Sequence, residues 1–164
     1  MAENPLTIEQ VLNLLKTNPQ QIAEFTADLT PDQLQTSLNP GEWSANDILA
    51  HLRSCADMWG SAIETIIAED KPTIRAINPT TWIESTDYPQ QKFQTSFRAF
   101  TTQRTDLLAL LEALPTKGWS RTATVTGAGK PLERTVFFYA HWLAKHERTH
   151  VKQIGRIAAG TLRA

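Results

Sequence analysis

The chain has 164 residues, enough for one domain (1–164) with a core that needs no disulfide staples. Sixteen basic and seventeen acidic residues give a net charge of -1, which excludes the basic excess typical of nonspecific binding to nucleic acid or anionic membranes. No apolar run approaches the length of a membrane span, and the first residues do not resemble a secretory signal. We therefore expect a soluble cytoplasmic protein with no nucleic-acid or membrane partner.

The first predicted helix covers residues 7 to about 29, because its apolar residues recur at spacings that place them on one helical stripe. Asn18 and Pro19 interrupt this segment, since proline disfavours the α conformation before it and has no amide hydrogen. The pattern predicts either a kink or a new helix start with Asn18 as the N-cap. A short capped turn is predicted at residues 30–34.

The second predicted helix covers residues 44 to about 69 and begins with a variant of the capping box at Ser44 and Asp47. His51 lies at the edge of its apolar arc. Such a histidine is either a hydrogen-bonded core residue or a ligand completed by another helix. Cys55 is the only cysteine and cannot form an internal disulfide, and its apolar neighbours favour inert packing over a nucleophile.

The third predicted helix covers residues 89–114 and follows a crossover loop at 70–87, where no period is sustained. Its apolar stripe of phenylalanine and leucine is broken at Arg104. One interpretation is that the guanidinium reaches water at an edge or pairs with a core carboxylate. The other is that it clamps an anionic substrate above a buried pocket.

A threonine-rich run within residues 115–130 suits a short extended segment or hairpin. Its Gly-Ala-Gly segment is not a phosphate loop, because a Walker motif requires glycine where Thr124 stands and serine or threonine where Pro131 stands. The fourth predicted helix covers residues 132 to about 159. Four long amphipathic helices joined by long connections predict an all-α four-helix bundle, in which inward side chains on facing helices build ligand sites.

The fourth helix contains His-Glu-x-x-His, with His146 and His150 side by side on the inward face. They are either satisfied core histidines or ligands of one cation. A zincin protease with Glu147 as base would take a third ligand downstream, but no His, Asp or Glu follows His150. A di-iron bundle would require a second Glu-x-x-His, which the chain lacks. His141 lies on the basic side and is excluded, so His51 is the candidate third ligand.

Two segments resemble the DinB-like (DinB/YfiT) superfamily of small helical metalloproteins, and the resemblance extends over essentially the whole chain. They are Gly41-Glu42-Trp43-Ser44-x-x-Asp47-Ile48-Leu49-x-His51-Leu52 and His146-Glu147-x-x-His150-x-x-Gln153-Ile154. The resemblance implies an up-down-down-up bundle, often a homodimer, with a three-histidine site for a divalent metal such as zinc or nickel. Similar proteins catalyse thiol-dependent S-transfer or isomerisation, or metal-dependent hydrolysis.

Three neutral imidazoles leave a metal ion at least one exchangeable position, which is typical of catalytic sites. We therefore predict a metal-dependent hydrolase or S-transferase acting on a small molecule, with a low-molecular-weight thiol as cosubstrate in the second case. Glu147 either orients or deprotonates the metal-bound species or is a supporting carboxylate. Arg104 is the candidate for binding substrate charge. The alternative is a noncatalytic helical module that dimerises or binds a partner, with histidines that are merely buried.

Overall fold

The computed structural model describes residues 4–163 and confirms the predicted four-helix bundle, which consists of α1, α3, α5 and α6. The helices are α1 (Ile8–Thr26), α2 (Pro31–Leu34), α3 (Ala45–Ala68), α4 (Pro79–Trp82), α5 (Phe93–Glu112) and α6 (Val136–Arg163). The strands are β1 (Thr73–Arg75), β2 (Thr122–Thr126) and β3 (Leu132–Thr135), with 3-10 turns at Ile83–Ser85, Tyr88–Gln90 and Thr116–Ser120. Among the described helices, none is both long and apolar enough for a membrane span.

Contacts at two points along each helix pair show whether the two helices are parallel or antiparallel. The pairs are Leu6–His141 and Phe25–Gly155 between α1 and α6, Trp43–His150 and Trp59–Trp142 between α3 and α6, and Arg53–Ser96 and Ala56–Gln103 between α3 and α5. Helix α6 is therefore parallel to α1 and antiparallel to α3, whereas α5 is parallel to α3. This is the up-down-down-up topology that the resemblance implied. The parallel pair α3 and α5 requires the long crossover at residues 69–92.

Helix α3 begins where the sequence predicts, at a complete capping box. The Ser44 hydroxyl accepts a hydrogen bond from the Asp47 amide at 3.1 Å, and the Asp47 carboxylate accepts one from the Ser44 amide at 3.0 Å. Two amide donors that have no partner within the helix are thereby satisfied. Because α3 starts here, His51 lies two turns into the helix, at the level where α3 faces α6.

The connections between the long helices contribute a small three-stranded sheet, with the strand order β1-β2-β3. Strands β2 and β3 form the predicted antiparallel hairpin, and its turn includes Gly127 and Gly129, both with φ near +90°. Strand β1 pairs in parallel with β2. The predicted crossover loop at 70–87 does connect α3 to α5, but it contains β1 and α4, which the sequence analysis did not predict. A three-residue strand is too short to show a period, and the predicted start of helix four at 132 likewise falls in β3.

Helix α1 continues through Pro19, so of the two predicted alternatives the new helix start with Asn18 as N-cap is wrong. Pro19 has no amide hydrogen for the carbonyl oxygen of Leu15, one turn earlier. Arg104 on α5 supplies a donor instead, with its Nη1 2.9 Å from that oxygen. Asn18 is buried, and its side-chain amide donates to the Ala144 carbonyl on α6 at 3.4 Å. Tertiary contacts thus accommodate the proline inside the helix.

The core consists of two apolar clusters with polar residues between them. On α1 the first cluster extends as far as Leu15 and the second begins at Ile22; on α6 the corresponding limits are Ala144 and Val151. The buried side chains at the intervening level form what we call the ion-pair layer, made of Asn18, Arg104 and Glu147. The three predicted histidine ligands lie next to the ion-pair layer. His51 is on α3, and His146 and His150 are on α6.

Candidate metal centre

His51 on α3 meets His146 and His150 on α6, as the sequence predicts. The Nε2 atoms of His51 and His146 are 3.2 Å apart. Ring centroids are separated by 5.1 Å for His51 and His146, 5.0 Å for His51 and His150, and 4.6 Å for His146 and His150. All three side chains are partly buried. The structure therefore brings the three histidines together at one place that solvent still reaches.

Tryptophan rings enclose this cluster on two sides. Trp43, immediately before the N-cap of α3, lies 5.1 Å from the ring of His51 and stacks on His150 at 6.2 Å. Trp59 meets His146 edge-on at 5.2 Å. These rings limit the orientations that the imidazoles can adopt and exclude water from part of their surface.

Cys55 also lies in the cluster, one turn after His51 on the same face of α3. Its Sγ is 3.7 Å from the His51 Nε2. Donor atoms from His51, Cys55 and His146 all lie within 4.8 Å of one another. The sequence analysis treated Cys55 as inert packing. The signal that could have identified it is the four-residue spacing from His51, which repeats the spacing of the two histidines on α6. We call these four residues the donor cluster.

The separations in the donor cluster fit a tetrahedral cation. Zn–N bonds of about 2.05 Å place two ligand nitrogens about 3.3 Å apart, and a Zn–S bond of about 2.3 Å places sulfur about 3.6 Å from nitrogen. The corresponding distances here are 3.2 Å and 3.7 Å. At 3.2 Å the two Nε2 atoms also suit a hydrogen bond between neutral rings when no cation is bound. The His51 and His146 nitrogens thus fit one metal ion as they stand, whereas the Cys55 sulfur, which is also 4.0 Å from His51 Nδ1 and so lies beside the ring, would share that ion after a side-chain rotation.

The Nδ1 atoms of His150 and His146 differ in their hydrogen bonding. His150 Nδ1 lies 3.0 Å from the Gln153 side-chain oxygen, an arrangement that would leave Nε2 available as a ligand. His146 Nδ1 is buried and has no hydrogen-bond partner among the described residues. A buried polar atom without a partner is rare in packed cores, although the described residues include others, such as Arg104 Nε in the ion-pair layer.

His51 and His146 are neutral at neutral pH in this environment. Burial, followed by the charge of His150, lowers the pKa of His51 to about 4. Burial, followed by the charges of His150 and His51, lowers the pKa of His146 to about 4. Burial and the nearby charge of Glu147 raise the pKa of the Cys55 thiol to about 12. Neutral imidazoles have the free lone pairs that a metal ligand requires, and in the absence of a cation Cys55 is a thiol rather than a nucleophile.

Arg104 and Glu147 do not line the donor cluster but pair beneath it. Arg104 Nη1 donates to one Glu147 carboxylate oxygen at 2.9 Å and Nη2 donates to the other, while Asn18 donates to the first at 3.2 Å. Glu147 is 0% exposed and Arg104 is 2% exposed. This geometry does not support the predicted roles of Glu147 as a base and Arg104 as a substrate clamp. It shows instead a guanidinium paired with a core carboxylate.

An open depression of about 570 Å³ lies beside His146 on the outer side of α6. It is lined by His141, Trp142, Lys145, His146, Arg148 and Thr149. Burial, followed by the positive charges of Lys145 and Arg148, lowers the pKa of His141, so the local field is positive. His141 is not part of the donor cluster; its Nε2 accepts a hydrogen bond from the Leu6 amide at 3.2 Å. A small anion would find a favourable surface next to His146.

The sequence model of the DinB superfamily matches residues 14–154 of this chain, which include the donor cluster and most of the bundle. The protein belongs to the DinB superfamily. This membership confirms the resemblance seen in the sequence. The donor cluster therefore lies in a family whose curated relatives are named for metal-dependent chemistry.

Among the relatives of this DinB-superfamily protein is an inferred metal-dependent hydrolase from Oceanobacillus iheyensis, 23% identical over 91% of this chain and 86% of the relative. YfiT from Bacillus subtilis, an inferred metal-dependent hydrolase with an unusual four-helix bundle topology, superimposes with a TM-score of 0.78 at 18% identity, covering 97% of this chain and 91% of YfiT. A mycothiol-dependent maleylpyruvate isomerase superimposes with a TM-score of 0.68 at 12% identity, covering 92% of this chain and 61% of the isomerase. The two structures share the fold of this chain.

Proposed function

We propose that this protein is a metal-dependent hydrolase that acts on a small molecule at a centre formed by His51, His146 and His150. The observation that carries the proposal is the 3.2 Å separation of the His51 and His146 Nε2 atoms, on facing antiparallel helices. This is the spacing of two ligands on one tetrahedral ion. The names of the curated relatives support the same reaction class.

The donor types favour zinc or nickel over magnesium or calcium, since imidazole suits the transition metals whereas magnesium and calcium prefer oxygen. When bound, such an ion would supply Lewis acidity and an activated water. The chain itself contributes the neutral state of His51 and His146, which follows from their burial. Gln153 would orient His150 through its Nδ1.

The surroundings of the centre indicate where substrate would lie. The depression beside His146 is open and contains Lys145 and Arg148, so an anionic small molecule would be attracted there. The rings of Trp43 and Trp59 would shield part of the centre from bulk water. In this arrangement the substrate approaches from solvent while the ligands stay on rigid helices.

The test combines metal content with turnover. Purified protein is loaded with zinc or nickel, its metal is measured by elemental analysis, and ester, amide and phosphoester substrates are screened. We expect one metal per chain and metal-dependent hydrolysis of at least one class. His51→Ala and His146→Ala should each lose most of the metal and the activity together. A protein that binds no stoichiometric metal would contradict the proposal and favour the noncatalytic helical module.

Thiol-dependent S-transfer is the second candidate, and the superposition on a mycothiol-dependent isomerase supports it. A centre with an exchangeable position can accept a thiolate as well as water. The same metal-loaded protein is incubated with electrophilic acceptors with and without a low-molecular-weight thiol. Product that appears only with the thiol would favour transfer over hydrolysis. The predicted homodimer stays a prediction, which sedimentation velocity of the metal-loaded protein would test.

A further inference from the structure

The donor cluster contains two matched pairs of potential ligands on facing helices. His51 and Cys55 are four residues apart on α3, and His146 and His150 are four residues apart on α6. Residues at this spacing lie on one helix face, one turn apart. We propose that Cys55 is itself a ligand of the metal ion, so that the centre has a sulfur donor in addition to imidazole nitrogens. The inference deepens the proposed function and depends on it for the presence of a metal.

Distances place the sulfur beside the His51 ring, close enough that a side-chain rotation would bring it to an ion bound by the histidine nitrogens. The Cys55 Sγ is 3.7 Å from His51 Nε2, and that nitrogen is 3.2 Å from His146 Nε2. These three residues form the set whose donor atoms lie mutually within 4.8 Å, a set that does not include His150. Cys55 is therefore at least as well placed as His150 to be the third ligand.

The packing of Cys55 differs from that of a cysteine that only fills space. Its side chain is 1% exposed, yet it belongs to neither of the two apolar clusters of the described core. Its sulfur instead faces ring nitrogens of His51. A structural free cysteine behaves as a small hydrophobe and packs among apolar groups. The polar atoms nearest the Cys55 sulfur are thus imidazole nitrogens, the same donors that the proposed centre uses.

A thiolate ligand changes which ions the centre prefers. Thiolate and imidazole donors together select zinc against magnesium, calcium and manganese. A coordinated cysteine loses its proton and so cancels one of the two positive charges of the ion. With His51, Cys55 and His146 as protein ligands, a tetrahedral ion would retain a fourth position, open to His150 or to substrate.

Cobalt substitution of the full-length protein tests this directly. Because the chain contains one cysteine, a thiolate-to-cobalt charge-transfer band in thiol-free buffer is assigned to Cys55 by its loss in Cys55→Ser. We expect this near-ultraviolet band in the wild type and in His150→Ala, and a sulfur neighbour at about 2.3 Å in the X-ray absorption spectrum of the zinc form. Cys55→Ala should weaken zinc binding by more than the roughly 10–100-fold that loss of an outer-shell partner costs.

The outcomes separate this inference from the proposed function. If the wild type binds one cobalt without a sulfur band, and the zinc form shows only nitrogen and oxygen neighbours, Cys55 is not a ligand and the histidine centre stands. A band that persists in Cys55→Ser would also overturn the inference. If the wild type binds no metal, both proposals fall. The wild-type spectra decide the question even if a cysteine variant fails to fold.

Discussion

His146 and Glu147 are consecutive residues of α6 that belong to two different regions of the molecule. His146 belongs to the donor cluster, where it is partly exposed and its Nδ1 has no hydrogen-bond partner among the described residues. Glu147 belongs to the ion-pair layer, where it is fully buried and both oxygens accept hydrogen bonds. A helix rotates by about 100° per residue, so neighbouring positions face different surroundings. The comparison shows that a His-Glu-x-x-His motif alone does not make its glutamate catalytic.

Arg104→Ala should have the largest effect, because it leaves the buried charge of Glu147 without a partner. We expect the free energy of unfolding to fall by about 3–5 kcal/mol, measured by urea denaturation. Arg148→Ala, which removes a partly exposed charge one residue from Glu147, should change it by no more than about 0.5 kcal/mol. Equal losses for the two variants would show that the ion-pair layer is not structural.

Replacing Arg104 and Glu147 together tests whether the donor cluster is independent of the ion-pair layer. Arg104→Met combined with Glu147→Leu removes both charges and retains apolar volume, so it should recover part of the stability lost by Arg104→Ala, while the Leu15 carbonyl stays without its Arg104 donor. Metal content should remain at one per chain, because neither residue belongs to the donor cluster. Loss of metal from a folded double variant would mean that the ion-pair layer supports the donor cluster.

Zinc bound at the donor cluster should raise the free energy of unfolding by somewhat less than Arg104→Ala lowers it. At a free concentration a hundred times the dissociation constant, zinc should raise the free energy of unfolding by about 2.7 kcal/mol. The increase should disappear in His51→Ala/His146→Ala and persist in Arg148→Ala. Denaturation with and without zinc measures it. An unchanged increase in the double histidine variant would locate the metal elsewhere.

Asn18→Ala should cost roughly 2 kcal/mol, the middle of the range for hydrogen bonds to charged groups. The variant removes the donor to the Glu147 carboxylate and to the Ala144 carbonyl. Asn39→Ala is the control, because Asn39 is exposed and bonds to an exposed Glu42. Metal affinity should not change in either variant. A loss no larger than that of Asn39→Ala would mean that Asn18 adds little to the ion-pair layer.

Ser44→Ala should have the smallest effect, about 1 kcal/mol, because it removes one side of the capping box that begins α3. Thermal unfolding compared with that of the exposed Ser120→Ala measures it. Zinc stoichiometry should stay at one per chain, since packing against α6 holds His51 in place after the first turn frays. A loss of metal would show that the cap positions the donor cluster.

Much of the bundle could be predicted because its signals are local. The stripe of apolar residues predicts each long helix, and Ser44 with Asp47 marks the start of α3. The four-residue spacing of His146 and His150 places both on one face in any helix. Strand β1 could not be predicted, because it is three residues long and depends on pairing with β2.

The predictions that failed or stayed open share one physical cause: they concern features that depend on contacts between residues far apart in the sequence. Pro19 remains inside α1 because Arg104, 85 positions later in the chain, donates to the carbonyl that proline leaves without a partner. The sequence left two roles open for Arg104, and the presence of Glu147 across the core chose between them.

The amino-acid sequence by itself determined the long helices, their caps and the inward faces that carry His51, His146 and His150, because helical periodicity and capping act over a few residues. Only the tertiary structure decided that Cys55 joins these histidines while Glu147 turns away to Arg104. The reason is that burial and pairing depend on which side chain of another helix occupies the facing position, which a local spacing such as that of His51 and Cys55 can suggest but cannot decide.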